Sequence, residues 1–440
     1  MNSNCYKVIF SKRLGTLVAV GEHTASSGKD ASGQVCRGGV GHSSFAALRL
    51  HDFVGVLRLS FASVALACLS FGIANAQSVR PSIASNALPL GASVNTGAVF
   101  ISSSGAQMAI TQVSDKASIN WNNFNIGSGA SVNVAQPSSN SVLLNRVVGQ
   151  DPSQIFGKLS ANGQVILLNP NGVVFGRDGS VTATSFTAST FNLSEADFMS
   201  GSYKYNRNGS TATIVNEGTI ETSAGGFVAL MGASVTNDGK IISPQGRVIL
   251  AAAENVTLPD VQTATAPITN PAVSLPLSKK VRLELMPSTV NAAIESTQNG
   301  VIVTDGGQVL LQAATISTAV ASISHAGNID TSGIQGGAVQ VLADNGNIKV
   351  NGSIIANSTG NNSQGQPLNG GDIIIGRDEV TGALSKTTDV SGAQLQSNQG
   401  FVETSGKWLN TKGAQIKAAQ WLLDPTDITI VSADTATANT

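Results

Sequence analysis

Four aspartates, Asp305, Asp330, Asp344 and Asp372, recur in the second half of the chain, most of them beside glycine or asparagine. Two carboxylates on adjacent turns of a repeat could act as the acid and base of glycosidic cleavage. The competing reading is that aspartate in such company closes a turn through its own backbone. Other chemistry is short of parts. Downstream of residue 76 the chain has no cysteine and one histidine, His325, which leaves no thiol nucleophile and no multi-histidine metal site. Ser27-Gly28-Lys29-Asp30 lacks the upstream glycine and the Ser/Thr of a phosphate loop. Trp121 could anchor a surface ligand, but on a strand flanked by asparagine it reads as a core or capping residue. These residues predict no catalytic, cofactor or metal site and a protein that is not an enzyme. A β-helix polysaccharide lyase or hydrolase is the enzymatic alternative.

The elements that would carry those residues are strands. Charged residues make up 12% of the chain, aromatics 5%, and there are 47 glycines. That mixture suits short β-branched strands joined by small-residue turns. A net charge of −1 offers no broad basic surface for nucleic acid. A repeat of Gly-x-Ile, a small polar stretch and an alternating apolar strand runs along the chain. It reads Gly218-Thr219-Ile220 into Phe227-Val228, Gly239-Lys240-Ile241 into Val248-Ile249, and Gly300-Val301-Ile302 into Val309-Leu310. Gly327, Gly346 and Gly371 open further copies, and uninterrupted spacings are 21 (218 to 239) and 19 (327 to 346).

A period near 20 matches one coil of a β-helix. The expected fold is therefore all-β, a right-handed parallel β-helix of about 20 residues per coil with extra-helical loops. Glycine or asparagine would end each strand at positive φ. Ile220, Val228, Ile241, Val248, Ile302 and Val309 would point inward and stack along the axis. About 15 to 17 coils at roughly 4.8 Å each would make a rod on the order of 70 to 80 Å long. The rival is an antiparallel sandwich with tight hairpins.

The first 76 residues are a different kind of sequence, holding all three cysteines, three of the four histidines, 7 of 25 basic residues and 3 of 26 acidic ones. Residues 59–73 form an uncharged apolar run after Arg49 and Arg58, and Ala74-Asn75-Ala76 follows with small-x-small spacing. This reads as a secretory signal cleaved between Ala76 and Gln77, and the run is short for a membrane span. Signal peptidase and the Sec translocon are the implied partners. A cysteine-free mature chain suits passage through an oxidising periplasm, where a disulfide would lock a loop.

The expected organisation is a signal region at 1–76, a secretion domain at 77–255, a proline-rich excursion at 256–296, and a continuing β-helix at 297–440. Residues 194–216, carrying Tyr203 and Tyr205, also read as a loop projecting from the rod. Residues 356–370 read as a flexible loop. Pro287 to Glu295 could start a short helix capped by Ser288.

Two stretches near the N-terminus, Tyr6-Lys7-Val8-Ile9-Phe10-Ser11-Lys12 and Leu17-Val18-Ala19-Val20-Gly21-Glu22, resemble the extended signal peptide of very large autotransporters and two-partner secretion proteins. From Leu88 to about Phe198 the chain resembles the secretion domain of two-partner secretion exoproteins such as filamentous haemagglutinin. The stretches that carry this are Ile119-Asn120-Trp121-Asn122-Asn123-Phe124, Leu144-Asn145-Arg146-Val147-Val148-Gly149, Asp151-Pro152-Ser153-Gln154-Ile155-Phe156-Gly157 and Asn169-Pro170-Asn171-Gly172. Trp421-Leu422-Leu423-Asp424-Pro425 resembles a segment common just past that domain. A second tetrapeptide of some members, Asn-Pro-Asn-Leu, is absent.

The resemblance implies a secreted surface adhesin of a Gram-negative bacterium. It further implies recognition by the periplasmic domains of a dedicated outer-membrane transporter, with folding outside the cell biasing movement outward. Host-cell or bacterial receptors would be met by the full-length protein. Contact-dependent inhibition toxins and haemolysins share such an N-terminus. In the turn Asn169-Pro170-Asn171-Gly172, Pro170 would fix φ, and Asn171 and Gly172 would take positive φ. That turn is the candidate for transporter recognition or for nucleating the fold.

Overall fold

The computed structural model describes residues 6–11, 16–21, 83–258, 283–379 and 381–426. Ala76 and Gln77, the expected cleavage site, lie outside them. The chain divides into two compact units, Met1–Ser78 and Val79–Thr440. In the first, Tyr6–Ser11 pairs antiparallel with Thr16–Gly21, Tyr6 opposite Gly21.

The second unit is a parallel β-helix with three faces. Face 1 runs from Gln107–Gln112 through Ser131–Ala135, Lys158–Ala161, Ser180–Ala183 and Thr219–Thr222 to Lys240–Ile242, and onward to the first part of Gln415–Pro425. Face 2 runs from Lys116–Trp121 through Val142–Val147, Gln164–Leu168, Ser185–Ser189, Phe227–Met231 and Arg247–Ala252 to the second part of Gln415–Pro425. Face 3 runs from Ser153–Ile155 to Trp408–Asn410. Parallel neighbours exclude the hairpin sandwich.

The register shows why the sequence folds this way. Ile220 stands opposite Ile241, and Ile241 opposite Ile302. Val228 stands opposite Val248, and Val248 opposite Val309. All six are fully buried. Alternation within each strand turns the next side chain outward, so one slip of register would expose a whole column.

Faces 1 and 2 each have eleven rungs among the described residues, a rise of about 50 Å at the usual strand spacing. That is fewer than the 15 to 17 expected, because some turns take far more than 20 residues. From Val181 to Ile220 one rung consumes 39, and from Ile241 to Ile302 another consumes 61.

The repeating glycines serve a different purpose from the one expected. Gly218, Gly239, Gly226 and Gly246 do not have positive φ. At each of these corners successive coils nearly touch. A Cβ on Gly239 would lie 2.3 Å from the Gly218 carbonyl oxygen, and one on Gly246 would lie 2.0 Å from that of Gly226. Contacts that short leave no room for any side chain. Close approach of one backbone to the next selects glycine here.

Three segments depart from expectation. Residues 194–216 do not project as a loop, and their last four, Thr213–Asn216, are a strand of face 3. The rest form a short helix, Glu195–Ser200, capped by Ser194 and Gly201, and a strand, Lys204–Asn206. That strand pairs antiparallel with Asn192–Leu193 and Asn255–Thr257, and the latter pairs with Glu284–Met286. Phe198, Tyr203 and Tyr205 are buried against Leu144, Ile166 and Ile249, whose side chains point outward from face 2. The excursion thus covers an apolar outer face. Second, Ala292–Ser296 is a strand, opposite Ala321–His325, and not a helix. Ser288 accepts from the Val290 amide at 3.2 Å and bridges Thr315, so the ladder outcompetes the cap. Third, residues 356–370 are bonded to the coil before them, Ser358 Oγ donating to Ile334 O at 2.7 Å and Thr359 Oγ1 to Gly333 O at 2.9 Å.

At the N-terminal end the strand direction reverses. Ser93–Thr96 pairs antiparallel with Lys116–Trp121, and Val99–Ser104 with Gln107–Gln112. This antiparallel cap covers the first coil. It holds the apolar side chains Leu88, Val99 and Ile101 against the core.

Candidate functional site

Asn169-Pro170-Asn171-Gly172 forms the corner between Gln164–Leu168 and Val173–Phe175. The Gly172 amide donates to Asn169 O at 3.0 Å and closes the turn. Only Gly172 of the two expected residues has positive φ, at 113°. Asn171 stays in the ordinary region.

The corner is stitched to its surroundings from every side. Asn169 is fully buried. Its Nδ2 donates to Asp151 O and to Ser153 Oγ, both at 3.0 Å, on the preceding coil. Its Oδ1 accepts from the Asn171 amide at 2.9 Å. Its own amide donates to Ser189 O at 2.9 Å, on the following coil. Asn171 Nδ2 donates to Gly149 O at 2.9 Å, and Ser210 Oγ of the excursion donates to Pro170 O at 2.7 Å. Asn169 therefore acts structurally. Pro170 and Asn171 are exposed, beside exposed Asp151, Pro152 and Val148 on the coil below. A partner would meet a small, mostly uncharged surface of two prolines, an amide and a valine.

A second polar cluster went unseen in the sequence, because its hydrogen-bonded members lie 46 to 83 residues apart and share no spacing rule. Lys116 Nζ donates to Phe198 O at 2.9 Å and Met199 O at 3.1 Å, at the C-terminal end of the short helix. It also lies 5.7 Å from the ring centres of Phe198 and Tyr203. Ser118 Oγ donates to Glu195 Oε1 at 2.7 Å. Arg146 donates to Leu193 O at 2.7 Å and to the Asn192 side chain, and its guanidinium is 3.8 Å from Glu195. Burial pushes the Glu195 carboxyl up, but hydrogen bonds from Thr96, Ser118 and Asn95 and the Arg146 charge outweigh it and hold its pKa below the ordinary value. Burial lowers the pKa of Lys116.

The four aspartates do not meet. Asp330 stands between Val303 and Ile355, Asp344 opposite Ala314, and Asp372 opposite Phe401. Asp330 Oδ1 accepts from the Ser332 amide at 2.8 Å, and Asp305 sits at a turn with φ 43°. Among the described residues no group of three or more His, Cys, Asp or Glu could hold a metal ion. Trp121 is in the core.

Comparison with known proteins places this fold. The family described as TPS secretion domain matches residues 85–331, more than half of the chain. The chain belongs to the TPS secretion domain family. Residues 1–50 match the Extended Signal Peptide of Type V secretion system. The protein is thus a secreted two-partner exoprotein of the Gram-negative type, and the TPS secretion domain implies an outer-membrane transporter as its partner.

A heme/hemopexin-binding protein of Haemophilus influenzae is 38% identical over 178 residues, 39% of this chain and 20% of that protein. A second protein of that description, also from Haemophilus influenzae, is 40% identical over 112 residues, 26% of this chain and 12% of that protein. The aligned stretches thus span a fifth or less of these relatives. The crystal structure of the HMW1 secretion domain from Haemophilus influenzae has the same fold, with a TM-score of 0.53 and 24% identity over 76% of this chain and 100% of that one.

Proposed function

We propose that the β-helix of this chain is the export address of a surface adhesin and that the Asn169–Gly172 corner is part of what the transporter recognises. The observation that carries this is the corner itself. Pro170 and Asn171 are exposed, while Asn169 and Gly172 are buried and tie the turn to three coils. The Sec translocon and signal peptidase would act first, at Ala76 and Gln77. Periplasmic domains of the transporter would act next, and host-cell or bacterial receptors would meet the full-length protein.

We read the chain as non-enzymatic: Asp305 and Asp330 serve turns, and Asp344 and Asp372 stand in the ladders opposite Ala314 and Phe401. A second reading of the cargo comes from the relatives, whose names give heme/hemopexin binding. Their aligned stretches cover a fifth or less of those proteins, so capture of such a ligand would rest on regions beyond the match.

The test is secretion. Residues 1–440 are expressed in a Gram-negative host with and without a cognate outer-membrane two-partner secretion transporter, beside an Asn171→Ala/Gly172→Ala variant, and the medium is assayed. Transporter-dependent release that drops in the variant supports the reading. Release without a transporter, or retention despite a functional one, sinks it.

A further inference from the structure

The excursion after face 2 reaches back to the start of the helix. Its helix Glu195–Ser200 receives Lys116 at its C-terminal end and Ser118 at Glu195. The cap strand Ser93–Thr96 runs beside the first rung, and its Asn95 and Thr96 are among the groups that hold the Glu195 pKa down. Arg146, one coil on, holds Asn192 and Leu193 O. One short segment thus ties together the cap strand, the first rung and the second rung of face 2. The hydrogen bonds among these span 46 to 83 residues.

The segment in turn depends on residues further along the chain. Tyr205 is fully buried between Leu193 and Val256, its partners in the antiparallel sheet. Arg207 pairs with Glu254 at 2.8 Å, with the Arg207 side chain almost wholly buried. The apolar outer face under the segment, Leu144, Ile166 and Ile249, is covered only when these pieces are in place.

We propose that residues 192–206 are a strap that closes the N-terminal cap, so that the first stable folded unit is the capped block of residues 83–258 and not a single coil. In a simple solenoid each coil needs only its neighbour. Here the first coils also need a segment that comes after them in the chain, and the strap needs residues 255–257. Whichever end of the domain leaves the periplasm first, the cap cannot close until cap and strap are on the same side of the membrane. The outward bias from folding would then come in one large step at this block, with small steps of one coil each after it. This consequence for export rests on the proposed export function; the strap itself does not.

Two measurements on the secreted full chain test it. The first compares wild type with Lys116→Ala/Arg146→Ala and with Glu221→Ala/Lys240→Ala, a control on the exposed surface of face 1. Amide exchange at residues 116–121 should quicken by about tenfold or more in the first variant. It should not change at residues 338–344, nor anywhere in the control. Unchanged exchange at 116–121 overturns the proposal. The second measurement tracks refolding of denatured wild type by pulsed exchange, and decides the matter even if the variant fails to fold. Residues 116–121 should gain protection together with 204–206 and 255–257. Protection of 116–121 while 204–206 still exchanges freely overturns the strap. Refolding involves no transporter, so its failure is separate from failure of the export function.

Discussion

Trp121 and Asn145 meet inside the rod, the indole Nε1 donating to Asn145 Oδ1 at 3.0 Å with both side chains fully buried. Trp121 is on the first rung of face 2 and Asn145 on the second, so the bond runs along the axis between coils. Phe124 packs edge-on against the indole, ring centres 5.5 Å apart. Asn145→Ala leaves the indole N–H buried without a partner, at a cost of about 1–3 kcal/mol. The urea midpoint should fall accordingly. Trp121→Phe/Asn145→Leu should lose less than the sum of its two single changes, and strict additivity would show that the bond contributes nothing.

The corner allows stability and recognition to be separated. Asn169→Ala removes a buried amide with four partners and should destabilise by about 2 kcal/mol or more, lowering both the urea midpoint and transporter-dependent release. Pro170→Ala should leave the midpoint within about 1 kcal/mol of wild type and still reduce release. A release unaffected by Pro170→Ala would mean the corner acts only through folding.

Acid should weaken the middle of the rod through His325. The side chain is fully buried, and Nε2 donates to Ser353 O at 3.1 Å. Its inward neighbours in register are Ser296 and Val350, while Glu295 and Lys349 alternate to the outside. Burial lowers its pKa, the Ser353 carbonyl opposing this in part. The neutral form is therefore the folded one. Its contribution is complete above the unfolded pKa of about 6.5 and is lost as pH falls below that, by up to about 1.4 kcal/mol per pH unit. The urea midpoint of wild type should drop as the pH is taken from about 7.5 to about 5.5, either side of that value, and His325→Leu should flatten that slope.

Gly246→Ala tests the crowded corner. Its Cβ would lie 2.0 Å from the Gly226 carbonyl oxygen, so adjacent coils must separate. Such overpacking costs about 1–3 kcal/mol, and the loss should be centred on residues 226–250 in amide exchange. Normal protection there would show that the coils can part freely.

Much of the rod was legible in the sequence because its signal is local. Two-residue alternation in a recurring 19–21-residue frame picked out Ile220, Ile241 and Val248 as inward-facing, and the ladders place them so. Glycine at the corners was legible too, though for another reason. Spacing reveals where a glycine recurs, but only the stacked backbones reveal that a carbonyl occupies the place of its side chain. The corner at 169–172 was visible as a motif, while the division between buried Asn169 and exposed Asn171 was not, since both are asparagines in one turn. Nothing marked the strap. Lys116, Arg146 and Glu195 look like isolated surface charges, and the tyrosines at 203 and 205 look like a loop until face 2 is seen to be apolar on its outer side.

Ile241 and Ile302 stand in adjacent rungs although 61 residues separate them. The chain left the ladder and returned to the same place on it without disturbing the stack. Length added at such a point is invisible to the coils on either side, which meet the same neighbours at the same distance. The rod therefore works as a chassis: a foreign peptide spliced between Leu258 and Leu283 should leave Ile241 opposite Ile302 and be secreted with the rod.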